Sequence, residues 1–169
     1  GKSSREVKLS IPANAAAGLY PFRVKSPAGE SAALPFTVDL FATQAEVEPN
    51  DSPHTGQKIA VPVSLVGAIG RAGDVDFFRF DAAAGQELGV QVVTTAQGSK
   101  LEPTLQLFDA GGRVVAESNN GLLGHVCETK GTYALGIRDQ NYNGGPQHTY
   151  RLHLGPIPIV TSIFPLAGR

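Results

Sequence analysis

At 169 residues with 41% hydrophobic content, the chain is long and apolar enough to bury one full core and part of a second, which excludes general disorder. Its 20 glycines and 12 prolines, against no Met and no Trp, interrupt helices and favour short strands joined by turns, so the expected class is all-β. A net charge of -1 without any Lys/Arg cluster removes the drive for nucleic-acid binding, and no apolar run approaches the roughly 18 residues needed for membrane insertion.

Taken in chain order, Glu6 to Ile11, Gly18 to Val24 and Ala33 to Leu40 alternate apolar with polar positions. Turns at Pro12 to Asn14 and at Ser26 to Gly29 separate them, which predicts a three-strand meander. Three strands alone are marginal, so this piece should lean on a neighbour or on further chain. Its Gly18-Leu-Tyr20-Pro-Phe22-Arg-Val24, Ser26-Pro-Ala-Gly29-Glu-Ser31 and Phe36-Thr-Val38 runs resemble the closing strands of a bacterial Ig-like (IPT/TIG-type) domain.

Composition shifts sharply at Ala42 to Asp51, where Glu46, Glu48, Asn50 and Asp51 cluster beside Pro49 and Pro53. The expected division is therefore residues 1–43, an Ig-like partial segment, residues 44–155, a β-sandwich, and residues 156–169, a linker and opening strand. Within the second piece, strands are expected at Val61 to Ile69, Asp76 to Asp81, Glu87 to Thr95, Pro103 to Asp109, Val114 to Glu117, Gly131 to Asp139 and Thr149 to Leu154. Short strands at near-regular spacing, with turns such as Ala84-Gly85 and Ala110-Gly-Gly112, predict two packed sheets. The final Pro156 to Phe164 run resembles the first strand of a following Ig-like domain, which would make the parent protein a string of β-modules.

The sharpest chemical signal is Glu46-Val-Glu48-Pro-Asn50-Asp51-Ser52, followed by Gly67 and by Gly73-Asp74-Val-Asp76-Phe77-Phe78-Arg-Phe80. In an extended segment residues two apart share a face, so Glu46, Glu48 and Asn50 would present three oxygen-bearing side chains together. Carboxylates so placed repel one another, and a hard divalent cation with six to eight oxygen ligands relieves the repulsion. No Cys or His accompanies the acids, which favours calcium over zinc. The alternative is an acidic, solvated linker in which Asn50 to Pro53 makes an Asx-type turn.

At these residues the sequence resembles a family. The Glu-x-Glu-x-Asn-Asp-Ser run, a Gly ahead of Gly-Asp-x-Asp-Phe-Phe, the Gly85-Gln86 turn, Pro103-Thr-Leu105-Gln-Leu107-Phe-Asp109 and Gly131-Thr-Tyr133 follow the order of bacterial pre-peptidase C-terminal (PPC) domains. That family includes the collagen-binding domains of clostridial collagenases, and the likeness covers Ala45 to Gly155. The resemblance implies a jelly-roll-like sandwich with calcium tying the N-terminal linker to the sheet. It implies ligands at Glu46, Glu48, Asn50, Asp51 and Asp76, with Gly67 offering a backbone oxygen. One position departs: the collagenase pattern carries an acid three residues before the strand-opening Asp, where this chain has Gly73. Asp74 then either substitutes along a different loop path, or the site is weakened.

Other motifs carry less. Asp139-Gln-Asn141-Tyr-Asn143-Gly144 fits the first half of a calcium loop, but Tyr150 stands where the bidentate Glu belongs, so an ordinary hairpin loop is expected. His54, His125, His148 and His153 show no metal spacing, and no Gly-x-Ser-x-Gly elbow is present. His125 and Cys127 would share a strand face, with a buried structural thiol the expected state. Tyr133, Tyr142 and Tyr150 either form an exposed patch or anchor strand packing.

The function expected is a non-catalytic, calcium-stabilised accessory or spacer module of a large exported bacterial protein, secreted or at the cell surface. Its immediate partners would be neighbouring β-domains of the same chain. Alternatives are a binding module for an extracellular protein or polysaccharide, and the accessory domain of a secreted peptidase.

Overall fold

Strands need one face out of water, and the alternation of side chains supplies that face along most of the chain. The computed structural model describes residues 6, 8–12, 14–94 and 98–160, and among them there are strands and turns and no helix. Two compact units result, Gly1–Leu40 and Phe41–Arg169. Thr43, which composition assigns to the first segment, lies in a strand of the second.

In the first unit, β1 (Gly18–Phe22) pairs antiparallel with β4 (Leu34–Val38), and β2 (Lys25–Ser26) forms a two-residue hairpin with β3 (Gly29–Glu30). The Ser31 hydroxyl accepts a hydrogen bond from the Val24 N–H at 3.0 Å and closes the base of that hairpin. The expected meander is thus a two-stranded ribbon, because the described residues of Glu6 to Ile11 carry no strand. Pro21 and Pro35 stand opposite one another in the register, and neither has an N–H to offer a third strand. Val7 and Ala13 fall outside the described residues.

The second unit is a β-sandwich. Its strands are β5 (Thr43–Ala45), β6 (Gln57–Lys58), β7 (Val63–Ala68), β8 (Asp76–Ala82), β9 (Glu87–Val93), β10 (Pro103–Phe108), β11 (Val114–Ser118), β12 (Leu122–Val126), β13 (Gly131–Asp139) and β14 (Thr149–Gly155). One five-stranded sheet runs β11-β10-β13-β8-β6 and the other β12-β9-β14-β7-β5. Successive strands cross between sheets at most connections, the jelly-roll-like arrangement expected. Alternate residues of both sheets point inward: Phe78, Phe80, Leu105, Leu107, Leu135 and Ile137 from the first meet Leu65, Leu88, Val90, Leu152 and Leu154 from the second in one buried cluster.

All seven sandwich strands expected from alternation are present, Gly131 to Asp139 matching at both ends and the others displaced by a residue or two, with Thr95 outside the described residues. Three others carry no readable period. β5 and β6 are two or three residues long and pair in parallel with β7 and β8 at the sheet edges, so their pairing is dictated by neighbours. In β12, Gly124 breaks the alternation. After β14 the described chain continues to Val160 without regular structure, and its Ile157 carbonyl lies where a side chain on Gly89 would be. The remainder of the expected final strand lies outside the described residues.

Candidate metal centre

Pairing with β7 directs the acidic segment. The Glu46 N–H continues the parallel ladder by donating to the Val66 carbonyl at 2.9 Å, so the Glu46 side chain turns back over the end of β7. There its Oε2 accepts from the Ala68 N–H at 2.8 Å and its Oε1 from the Asn50 amide at 3.3 Å. Asn50 is fully buried, and its carbonyl accepts from the Phe77 N–H at 2.9 Å, which stitches the segment to the start of β8. Asp76 opens β8, also fully buried, and receives the Tyr150 hydroxyl at 2.6 Å. Asp74, 3% exposed, accepts from the Gly70 N–H at 2.7 Å across the preceding turn.

The acids therefore converge. Oxygens of Glu46, Glu48 and Asp76 lie within 4.8 Å of one another, and so do those of Glu48, Asp51 and Asp74. Glu48 belongs to both groups. One exposed cation answers them: Arg71 stands 3.2 Å from Asp51 and 3.9 Å from Asp74. Among the described residues, Oδ1 of Asn50, Oδ1 of Asp74 and Oδ1 of Asp76 are buried without a hydrogen-bond donor. Buried acceptors normally find partners, so three together, on Asn50 and on the Asp74–Asp76 run, make a place that could hold something with positive charge.

The electrostatics agree. Burial pushes the Asp76 carboxyl up to about 9, with the charges of Glu46 and Asp74 adding to the effect and the Tyr150 hydroxyl opposing it. Burial likewise raises Glu48, aided by Asp74, Glu46 and Asp51 and opposed by the Asn50 N–H. The Tyr150 phenol is driven up by burial and by the adjoining Asp76, so it stays protonated and donates. Each shift says that negative charge here lacks compensation. An all-oxygen donor set of this kind could hold a hard divalent ion.

All seven residues singled out from sequence lie here, assembled differently from the expected row. Glu48 and Asn50 meet through a turn in which the Asn50 N–H donates to Glu48 Oε2 at 2.9 Å, rather than by alternation along a strand. Gly73, at φ 81°, takes a backbone path that an acidic side chain would strain, and this path brings Asp74 inward. Gly67 contributes room: a Cβ there would overlap the Glu46 carboxylate and the Tyr150 hydroxyl. Tyr150 and Arg71 were not legible as participants. Tyr150 lies 74 positions from Asp76 and no local spacing connects them.

The remaining motifs are structural. Asp139 Oδ1 accepts from the N–H groups of Asn141 (2.9 Å) and Asn143 (3.0 Å) while Oδ2 accepts from Glu102 (3.1 Å), so its carboxylate organises the loop that follows β13. Burial works against its ionisation, yet those three N–H groups hold it below the usual carboxylate range. Tyr133 and Tyr150 are buried and Tyr142 alone of the three is exposed, under Arg138, which removes the tyrosine patch and leaves the packing role.

Cys127 is fully buried and burial raises its thiol. Its backbone is fixed by the Gly85 N–H to Cys127 carbonyl bond of 2.7 Å and the Cys127 N–H to Gln86 carbonyl bond of 2.9 Å. A thiol reagent should therefore leave the folded protein unlabelled at pH 8 and modify it stoichiometrically in denaturant, as read by mass spectrometry. Labelling of the native state at the denatured rate would contradict the burial.

No protein-family profile matches the sequence, and no curated protein matches it. Among solved structures, the chain is similar to the pre-peptidase C-terminal domain of a collagenase from Bacillus anthracis, with 18% identity, a TM-score of 0.46, and coverage of 62% of this chain and 99% of that one. It is also similar to PliG, a periplasmic inhibitor of g-type lysozyme, from Aeromonas hydrophila (15% identity, TM-score 0.48, 68% of this chain and 98% of that one). The counterpart from Salmonella Typhimurium has 19% identity, a TM-score of 0.43, and covers 60% of this chain and 98% of its own.

Proposed function

We propose that the second unit is a non-catalytic accessory or spacer module of a large exported bacterial protein, and that calcium bound at the Glu46–Asp76 cluster stabilises it. The observation that carries this reading is the trio of buried, donor-free oxygens on Asn50, Asp74 and Asp76 beside the carboxylates of Glu46, Glu48 and Asp51. The order of motifs shared with PPC domains supports it. Calcium fits better than magnesium because the donors come from a flexible, carboxylate-rich set on several segments, whereas magnesium keeps most of its water.

The mechanism is linkage. An ion that binds only when residues 46–51 lie against the 70–74 turn and β8 stabilises that arrangement by mass action, by about 4 kcal/mol at a thousand times its dissociation constant. Exported modules meet calcium at concentrations where even a weak site fills, which suits a spacer that must stay folded outside the cell.

Calorimetric titration of calcium tests the assignment. Glu48→Ala, which removes the one side chain common to both acidic groups, should abolish the binding isotherm. Calcium binding to Glu48→Ala as tight as to the wild type would move the site elsewhere.

A further inference from the structure

A hollow lies on the outer face of the β11-β10-β13-β8-β6 sheet. The register places Arg79 of β8 and Phe108 of β10 on either side of Ala134 of β13. With only a methyl group between a guanidinium and an aromatic ring, the sheet surface is hollow at that point. Pro53, His54 and the turn following β10 also line it, leaving a space of about 210 Å³. Phe108 is steadied by an edge-on contact with Phe77, ring centres 5.8 Å apart, and Phe77 is held across Gly136, so that wall is fixed.

The charges around the space are unequally engaged. Asp109 is taken by Arg113 at 2.8 Å and by the N–H groups of Gly111 and Arg113, both at 2.9 Å, which hold its carboxyl low. Asp81, further along the same face, accepts the Thr132 hydroxyl at 2.7 Å and faces Lys58 at 3.7 Å. Among the described residues, no hydrogen bond or ion pair engages the half-buried Arg79 guanidinium. The hollow therefore presents one planar cation beside an apolar wall, its charge felt by Asp81 but its donors in no hydrogen bond or ion pair among the described residues.

We propose that this hollow binds an acidic side chain of a protein partner, with the carboxylate forked onto Arg79 and the aliphatic stem against Phe108 and Pro53. Arginine's planar donors match a carboxylate two to two. The volume is below that of ordinary small-molecule sites and suits a single side chain. A sugar acid would bring several hydroxyl groups, and of the polar side chains lining the hollow Thr132 and Asp109 are already engaged by Asp81 and Arg113, which leaves the His54 imidazole alone to serve them. An aspartate or glutamate asks for one carboxylate partner and an apolar rest.

Amide chemical-shift titration of the whole chain with N-acetyl-glutamate amide tests this, with N-acetyl-glutamine amide and glucuronate as contrasts. Saturable shifts confined to the amides of His54, Phe108, Thr132 and Ala134 are expected, with a dissociation constant about tenfold lower for the glutamate probe than for the glutamine one. Arg79→Gln should remove the difference between the two. Ala134→Val, which keeps the cation but fills the space, should remove binding while leaving the spectrum otherwise folded. Equal shifts from both probes, or a glutamate response surviving in Arg79→Gln, would overturn the proposal. Glucuronate binding as tightly as the glutamate probe would overturn the choice of an acidic side chain. None of these readings depends on the metal cluster, so they stand or fall apart from the calcium assignment.

Discussion

In calcium-free buffer at pH 8, Asp76→Asn should melt above the wild-type protein, and it should gain nothing when calcium is added. The wild type should gain on the order of 10 °C in saturating calcium, the thermal equivalent of about 4 kcal/mol. Both halves follow from one fact: Asp76 is fully buried among other carboxylates and its carboxyl is pushed up to about 9. In the unfolded chain it titrates near 3.9. Between those values the native state keeps a proton that the unfolded state releases, so without an ion stability falls as pH rises, by at most about 1.4 kcal/mol per pH unit for this group.

Asparagine removes that slope. It can still accept the Tyr150 hydroxyl, and its amide can donate to the neighbouring acids, so the metal-free fold no longer has to hold a proton at residue 76 to stay neutral there. On the proposed reading calcium should reverse the wild-type trend, because the ion would take the ionised carboxylate and release protons on binding. The depressed carboxyls of Asp81, Asp109 and Asp139 act in the opposite sense, losing stability as pH falls through their own lowered values. Their window lies below about pH 4, so melting curves between pH 5 and 8 lie clear of them and report the raised carboxyls, Asp76 and with it Glu48. An Asp76→Asn variant that melts lower than the wild type without calcium would show the carboxylate to be a structural acceptor and remove the basis for the ion.

How much of this was readable without coordinates depends on where each contact lives along the chain. Glu46, Glu48, Asn50 and Asp51 are neighbours in sequence, and Asp74 and Asp76 open a strand whose Phe-Phe-Arg-Phe alternation is plain, so the acidic half of the site was legible. The geometry that unites them was not. It depends on β5 zipping onto β7 in parallel, a three-residue pairing without its own periodicity, and on a tyrosine brought from β14 by the sandwich topology. The expected first strand, Glu6 to Ile11, went the other way among its described residues: its alternation is real, but a strand requires a ladder to join, and Pro21 and Pro35 each take an N–H from the ribbon beside it. Alternation reports what a segment could bury, and pairing decides whether it does.

Gly67→Ala should be the most damaging single methyl group in the site. The added Cβ would occupy space already held by the Glu46 carboxylate and the Tyr150 hydroxyl, and both are themselves pinned: Glu46 by the Ala68 N–H, Tyr150 by Asp76. Neither can retreat without giving up its hydrogen bond, part-buried for Glu46 and buried for Tyr150. The expected cost is about 1–3 kcal/mol of stability from overpacking, read by urea unfolding. Displacing Glu46 and the Tyr150–Asp76 pair together should also eliminate the calcium-dependent rise in melting temperature. Gly70→Ala is the control: a Cβ there would lie 3.5 Å from Asp74 Oδ2, an ordinary contact, and its N–H to Asp74 is retained. It should keep the full calcium response. If Gly67→Ala responded to calcium as Gly70→Ala does, the close approach of Glu46 and Tyr150 over residue 67 would have no part in holding the ion.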